Sequence, residues 1–200
     1  MSMFKVISIN RHRITVDGEG VTTLIGLSGC PLNCKYCINK NALTKAKVQK
    51  IQVLDLIKEV MMDYCYFIGT DGGVCFGGGE PLLQYDSLIE FMEQSKVLFK
   101  TTIETSLNIQ VDLKTLLELV SELIIDIKST DNTIYKKYTT LDNNILLLNL
   151  SIINELGMQS KCKIRIPSIK GFTTLKDIEE SKKFVTNLGF SNIDTFEYVV

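Results

Sequence analysis

Histidine is almost missing from this chain: His12 is the only one in 200 residues. A metal centre here must therefore be built chiefly from sulfur or oxygen. Long apolar runs are missing too, and none approaches the ~20 residues that span a bilayer. Residues Met1 to Asn10 lack the apolar stretch and small-residue cleavage site of an export signal. The expectation is a cytoplasmic protein with no membrane partner. An excess of either charge is absent: 22 Lys and Arg stand against 23 Asp and Glu, a net charge of -1. The lysines are scattered, a pair such as Lys182-Lys183 suits a solvated helix face, and no basic stripe marks a nucleic-acid surface. Repeats, low-complexity tracts and Pro/Gly/Ser linkers are also absent. Residues 1–200 are expected to form one domain, long enough to bury a full core.

What the chain has instead is cysteine. Six occur without an export signal, which points to metal or catalysis before disulfides. Cys65, Cys75 and Cys162 lie inside apolar segments and are expected as small buried hydrophobes. Cys30, Cys34 and Cys37 form a compact array.

Around them runs a rhythm of short apolar strands and amphipathic helices. Strands are expected at Thr22–Ser28, Val74–Phe76, Thr101–Glu104, Leu123–Ile127, Cys162–Ile166 and Ile193–Val199. Helical spacing recurs at Val53–Tyr64, Leu88–Met92, Leu113–Val120, Ile145–Leu156 and Lys176–Leu188, with Asp142 or Asn143 as a cap and Gly157 and Gly189 as stops. Alternating strands and helices give parallel βα units with right-handed crossovers. About six fit, against the eight of a closed barrel. The expected fold is α/β, an open partial (β/α)6 barrel or a doubly wound sheet. In either, the chemistry belongs just after the strands.

It appears there. Gly29-Cys30-Pro31-Leu32-Asn33-Cys34-Lys35-Tyr36-Cys37-Ile38-Asn39 follows the first strand as a C-x3-C-x2-C array. Three close thiolates suit a small iron–sulfur centre and leave one iron of four without a protein ligand. The competing reading is a structural zinc with a distant fourth ligand. Phe76-Gly77-Gly78-Gly79-Glu80-Pro81 follows the second strand, where glycines let a backbone approach a ligand closely or simply make a turn. Glu104-Thr105, Asp126-Ile127-Lys128 and Ile164-Arg165-Ile166-Pro167 end the next three. Alternation puts Asp126 with Lys128, and Lys163 with Arg165, on single faces. An internal ion-pair network of Glu104, Asp126, Lys128 and Arg165 is one reading of these charges.

The cysteine array, with an aromatic residue before its last member, resembles the signature of the radical S-adenosylmethionine superfamily. The resemblance implies a [4Fe-4S] cluster on Cys30, Cys34 and Cys37. It also implies S-adenosyl-L-methionine on the open iron, cleaved by one electron to a 5′-deoxyadenosyl radical that abstracts hydrogen from a substrate. By the same resemblance the cofactor-binding residues are Tyr36, Ile38, Asn39, Gly77, Gly78, Gly79, Glu80, Glu104, Thr105, Asp126, Lys128 and Arg165.

The run Thr15-Val16-Asp17-Gly18-Glu19-Gly20 follows the layout of glycyl-radical-enzyme activases. So do Tyr138-Thr139-Thr140, Asn143–Gly157 and Gly171. That branch implies a glycyl-radical enzyme as partner and an electron donor such as a flavodoxin or ferredoxin. The chain departs from it at Ile38, at Glu19 where proline is common, at Thr22 where an arginine is usual, and at Val199 where histidine follows the tyrosine. No second cysteine group suggests a further cluster. A small-molecule enzyme resembling 7-carboxy-7-deazaguanine synthase and a non-catalytic metal-binding scaffold are the alternative readings.

Overall fold

Each of the six strand-like runs is a strand, and together they make a parallel sheet laid down in chain order. The computed structural model describes residues 2–198. Its strands are β1 (Met3–Ile14), β2 (Val21–Leu27), β3 (Gln49–Gln52), β4 (Gly73–Gly78), β5 (Lys100–Thr105), β6 (Glu122–Asp126), β7 (Cys162–Ser168) and β8 (Ile193–Glu197). The sheet order is β3-β1-β2-β4-β5-β6-β7-β8. From β2 to β8 every neighbouring pair is parallel. β3 and β8 are both edges, so the sheet is open, as six units rather than eight require. Val199, expected in the last strand, lies outside the described residues.

Two strands were not expected. β1 and β3 join antiparallel to the β2 side. β1 hides from a periodicity reading because only Phe4 and Val6 of its twelve residues are buried. Phe4 stacks on Phe76 with centroids 5.1 Å apart, and Phe91 meets Phe76 edge-on at 4.9 Å. That aromatic group ties the added strand to the helix layer.

The helices are α1 (Lys40–Lys45), α2 (Val53–Val60), α3 (Tyr64–Thr70), α4 (Tyr85–Ser95), α5 (Leu113–Leu119), α6 (Asn132–Thr139), α7 (Asn144–Glu155) and α8 (Leu175–Asn187). The long run at Val53–Tyr64 breaks into α2 and α3 at a 3-10 turn, Met61–Asp63. Gly157 and Gly189 stop α7 and α8 with φ of +67° and +82°. Asn143 holds the N-cap position of α7, but its side chain makes no capping bond. Asn143 instead donates from Nδ2 to the Thr130 carbonyl at 2.8 Å, and Asp142 pairs with Lys136 at 3.2 Å. Cys75 and Cys162 are buried as expected, but Cys65 is exposed on α3.

The turn at residues 15–20 lies at the amino end of the parallel strands, away from the cysteines. Glu19 reaches Lys100 at the start of β5 (2.8 Å), and Gly18 lies so near Thr102 that a Cβ would stand 2.8 Å from its Oγ1. Asp17 is buried and paired with Arg13 of β1. Thr22, at the start of β2, is itself buried.

Candidate functional site

The cysteine loop leaves β2 and lies against the carboxyl end of α6. The Asn33 N–H donates to the Thr139 carbonyl (2.9 Å) and the Lys35 N–H to that of Tyr138 (3.1 Å). Cys30, Cys34 and Cys37 all line one cavity of about 210 Å³. The cavity's other walls are the ends of the parallel strands. Ile38, Asn39, Gly78, Gly79, Glu80, Glu104, Thr105, Asp126, Lys128 and Arg165 all reach it. Tyr36 and Gly77 do not. Tyr36 packs edge-on against Phe172 at 5.6 Å and Tyr138 at 6.1 Å, so it seats the loop on α6. Gly77 sits within β4, where a Cβ would meet a Glu104 oxygen at 3.2 Å.

The glycine turn is held by the chain's own backbone. Gly78 has φ +90°, and a Cβ there would stand 2.9 Å from the Gly26 Cα. At Gly79 a Cβ would overlap the Gly29 carbonyl oxygen. Asn39 adds a bond from Nδ2 to the Gly78 carbonyl (2.8 Å), fastening the cysteine loop to the turn. These glycines allow two loops to touch. Gly79→Ala is therefore expected to destabilise the fold by more than about 2 kcal/mol, since backbone cannot yield as a side chain can. Chemical denaturation of the cluster-free chain measures it, and an unchanged midpoint would show that the two loops do not meet.

Glu80 is buried beneath that turn and accepts four hydrogen bonds. The donors are the Leu82 N–H (3.2 Å), the Thr105 hydroxyl (2.6 Å), and the Ser106 N–H (2.9 Å) and hydroxyl (2.5 Å). Burial pushes its pKa up, and those donors pull it back. Glu80 thus joins the ends of β4 and β5, and the Thr105 hydroxyl is committed to it. Ser106 was not singled out from the sequence, although it directly follows the Glu-Thr pair.

The four strand-end charges form two pairs. Lys128 Nζ lies 3.0 Å from Asp126, and Arg165 lies 3.5 Å from Glu104. The last strand and the residue after it meet both cations: Arg165 lies 4.6 Å from the Phe196 ring centre and Lys128 5.8 Å from that of Tyr198. Phe196 was not singled out from the sequence, and Tyr198 was noted only as the residue before Val199. Burial, then Asp17 and Asp126, push the Glu104 pKa up to about 7. Burial also pushes the Cys30 thiol up to about 11 and raises that of Cys34, against which Lys128 acts.

The Radical SAM superfamily model matches residues 24–185. The chain belongs to that superfamily. A pyruvate formate-lyase-activating enzyme of Clostridium pasteurianum is 33% identical over 125 residues, covering 62% of this chain and 52% of the relative. One of Staphylococcus aureus (strain USA300) is 28% identical over 193 residues, covering 92% of this chain and 75% of the relative. This radical SAM chain thus spans about half the length of the first and three-quarters of the second. In fold it resembles Streptococcus suis SuiB, with TM-score 0.66 and 20% identity over 88% of this chain and 39% of SuiB. A SuiB structure bound to S-adenosylmethionine gives TM-score 0.65 and 18% identity, over 86% and 39%.

The superfamily's cofactors are a [4Fe-4S] cluster and S-adenosylmethionine. The residues present fit them. Among the described residues no three His, Cys, Asp or Glu side chains close on a single ion. The three thiols instead share one cavity, as a cluster with an iron for each thiolate requires. None of Cys65, Cys75, Cys162 or His12 lines it. His12 lies 3.2 Å from Asp63, so the histidine of a mixed zinc site is engaged elsewhere. The buried hydroxyls of Tyr135 and Tyr138, whose helix carries the cysteine loop, have no protein partner.

Proposed function

We propose that this chain is a glycyl-radical-enzyme activase. The observation that carries the reading is the 28% identity to a pyruvate formate-lyase-activating enzyme over 193 residues, from one end of the barrel to the other. The cofactors, when bound, would supply one-electron cleavage of a sulfonium C–S bond and abstraction of a hydrogen atom from a glycine Cα of the partner.

The chain's residues hold and orient. Cys30, Cys34 and Cys37 take three irons from one wall of the cavity. The backbone of Gly78 and Gly79, fixed by Asn39 and Glu80, offers polar groups to the methionine end. Lys128 and Arg165 supply positive charge for its carboxylate, and Glu104 faces the same space. Burial beside Tyr198 keeps most water from Lys128, which strengthens its charge at short range. The cytoplasm is the compartment this reading calls for, and no described helix is long and apolar enough to cross a membrane.

The test mixes reconstituted chain, a small-molecule reductant, S-adenosylmethionine and a candidate glycyl-radical enzyme without oxygen. A glycyl doublet in the electron paramagnetic resonance spectrum, with 5′-deoxyadenosine in equal amount, is expected. Deoxyadenosine formed only with a small heterocycle would transfer the site to the alternative chemistry of 7-carboxy-7-deazaguanine synthase-like enzymes.

A further inference from the structure

α6 carries two tyrosines where two phenylalanines would fill the same space. Tyr135 and Tyr138 are fully buried, and neither hydroxyl has a protein partner. A buried hydroxyl without a partner is destabilising, and a phenylalanine ring would avoid that cost. The polypeptide alone gives no reason for the two oxygens.

Their surroundings differ. The Tyr138 hydroxyl lies beside the phenol of Tyr198 and the backbone of Tyr36, so polar groups of the protein stand next to it. Around Tyr135 the oxygens are taken. The charges its hydroxyl feels most are Cys34, then Glu80, then Cys30. Glu80 already accepts two bonds on each carboxylate oxygen. The Asn108 side chain also approaches the phenol, but its oxygen accepts from the Leu146 N–H (3.2 Å) and its nitrogen donates to the Asp142 carbonyl (3.1 Å). A further bond from that amide would end on the phenol oxygen and leave the phenol proton free. Sulfur is what remains.

The position of Cys34 is fixed by separate bonds. Its neighbours Asn33 and Lys35 donate their N–H groups to the carbonyls of Thr139 and Tyr138. Tyr135 lies four and three residues before those two, one helical turn away, and the Thr139 hydroxyl donates to its carbonyl (2.8 Å). Cys34 packs against the core cluster to which Tyr135 belongs. Cys34 lines the cavity and Tyr135 does not, so the phenol approaches from behind the wall. A thiol is a weak acceptor, whereas the thiolate that ligates a metal is a strong one.

We infer that Tyr135 donates its hydroxyl proton to the Cys34 thiolate sulfur of the loaded chain and so raises the reduction potential of the cluster. This rests on the cluster reading above. Reduction adds negative charge that the ligand sulfurs share, so a donor to one of them favours the reduced form. Tyr135 acts through Cys34 and touches neither cofactor, which makes it a positioning residue.

Tyr135→Phe keeps the ring and removes only the hydroxyl. After anaerobic reconstitution the variant should hold the same iron as the parent, about four per chain. Redox titration followed by electron paramagnetic resonance should show reduction about tenfold less favourable, a potential about 59 mV lower for one electron. Electron–nuclear double resonance of the reduced parent in ordinary and heavy water should show an exchangeable proton coupling that the variant lacks. Without the cluster, the variant should resist denaturant at least as well as the parent, since it loses an unpartnered polar group. Equal potentials in the two loaded chains, or a coupling retained in the variant, would overturn the inference. So would a lower denaturation midpoint with an unchanged potential, which is the mark of a structural hydroxyl. A parent that takes up no iron would instead refute the cluster reading and this inference with it.

Discussion

Replacing any one of Cys30, Cys34 or Cys37 by alanine is expected to take the iron of the anaerobically reconstituted chain from about four per chain to background. Cleavage of S-adenosylmethionine should fall below detection with it. Two thiolates cannot hold a cluster whose fourth iron already lacks a protein ligand, and no other cysteine or histidine lines the cavity to replace the one removed. Cys65→Ala, Cys75→Ala and Cys162→Ala should each retain the full iron content. The first is exposed, and the other two are buried away from the cavity. Iron analysis alone decides the matter. Loss of iron in any of the second three would place a ligand outside the cavity and undo the site as described.

The second large effect belongs to a residue that touches no metal. Glu80→Ala leaves four donors at the junction of β4 and β5 without an acceptor, in a place with 1% exposure. A buried donor left without an acceptor costs about 1–3 kcal/mol, and four are affected here, a large share of the 5–15 kcal/mol that holds a typical domain. The variant should unfold at far lower denaturant concentration even without the cluster. Asp112→Ala provides the contrast. Asp112 also accepts several bonds, from Lys114 and Thr115, but it is an exposed helix cap, and its loss should cost about 1 kcal/mol. Equal midpoints for the two variants would mean that the Glu80 junction does not hold the strands together.

The parallel strands were legible because strands covered on both faces read as short apolar runs. Ile125, Ile127, Ile164 and Ile166 are buried, and the charged residues between them face the cavity, as alternation requires. β1 was not legible because serine, asparagine, arginine and histidine occupy positions whose neighbours are solvent or ion-pair partners. α6 was missed because two tyrosines are its only buried large side chains, too few to mark a period. In the site, residue types and their order along the chain could be read, but pairings could not. Nothing local says that Glu80 will meet Ser106, or that Arg165 will answer Glu104, since each contact depends on where distant strands are placed in the sheet.

The seat of the cysteine loop has a consequence for how the protein is made. Two of its anchoring bonds run to the carbonyls of Tyr138 and Thr139, so a loop that leaves the ribosome early waits about 100 residues for that part of its support. At 5–20 residues per second, that interval is roughly 5–20 s. Until α6 has been synthesised, the loop is held only through the glycine turn, and Cys34, between the two bonds to α6, lacks its seat. Metal loading is therefore a late event in the life of the nascent chain. Whatever delivers the iron and sulfide must meet a protein whose barrel is already more than half built.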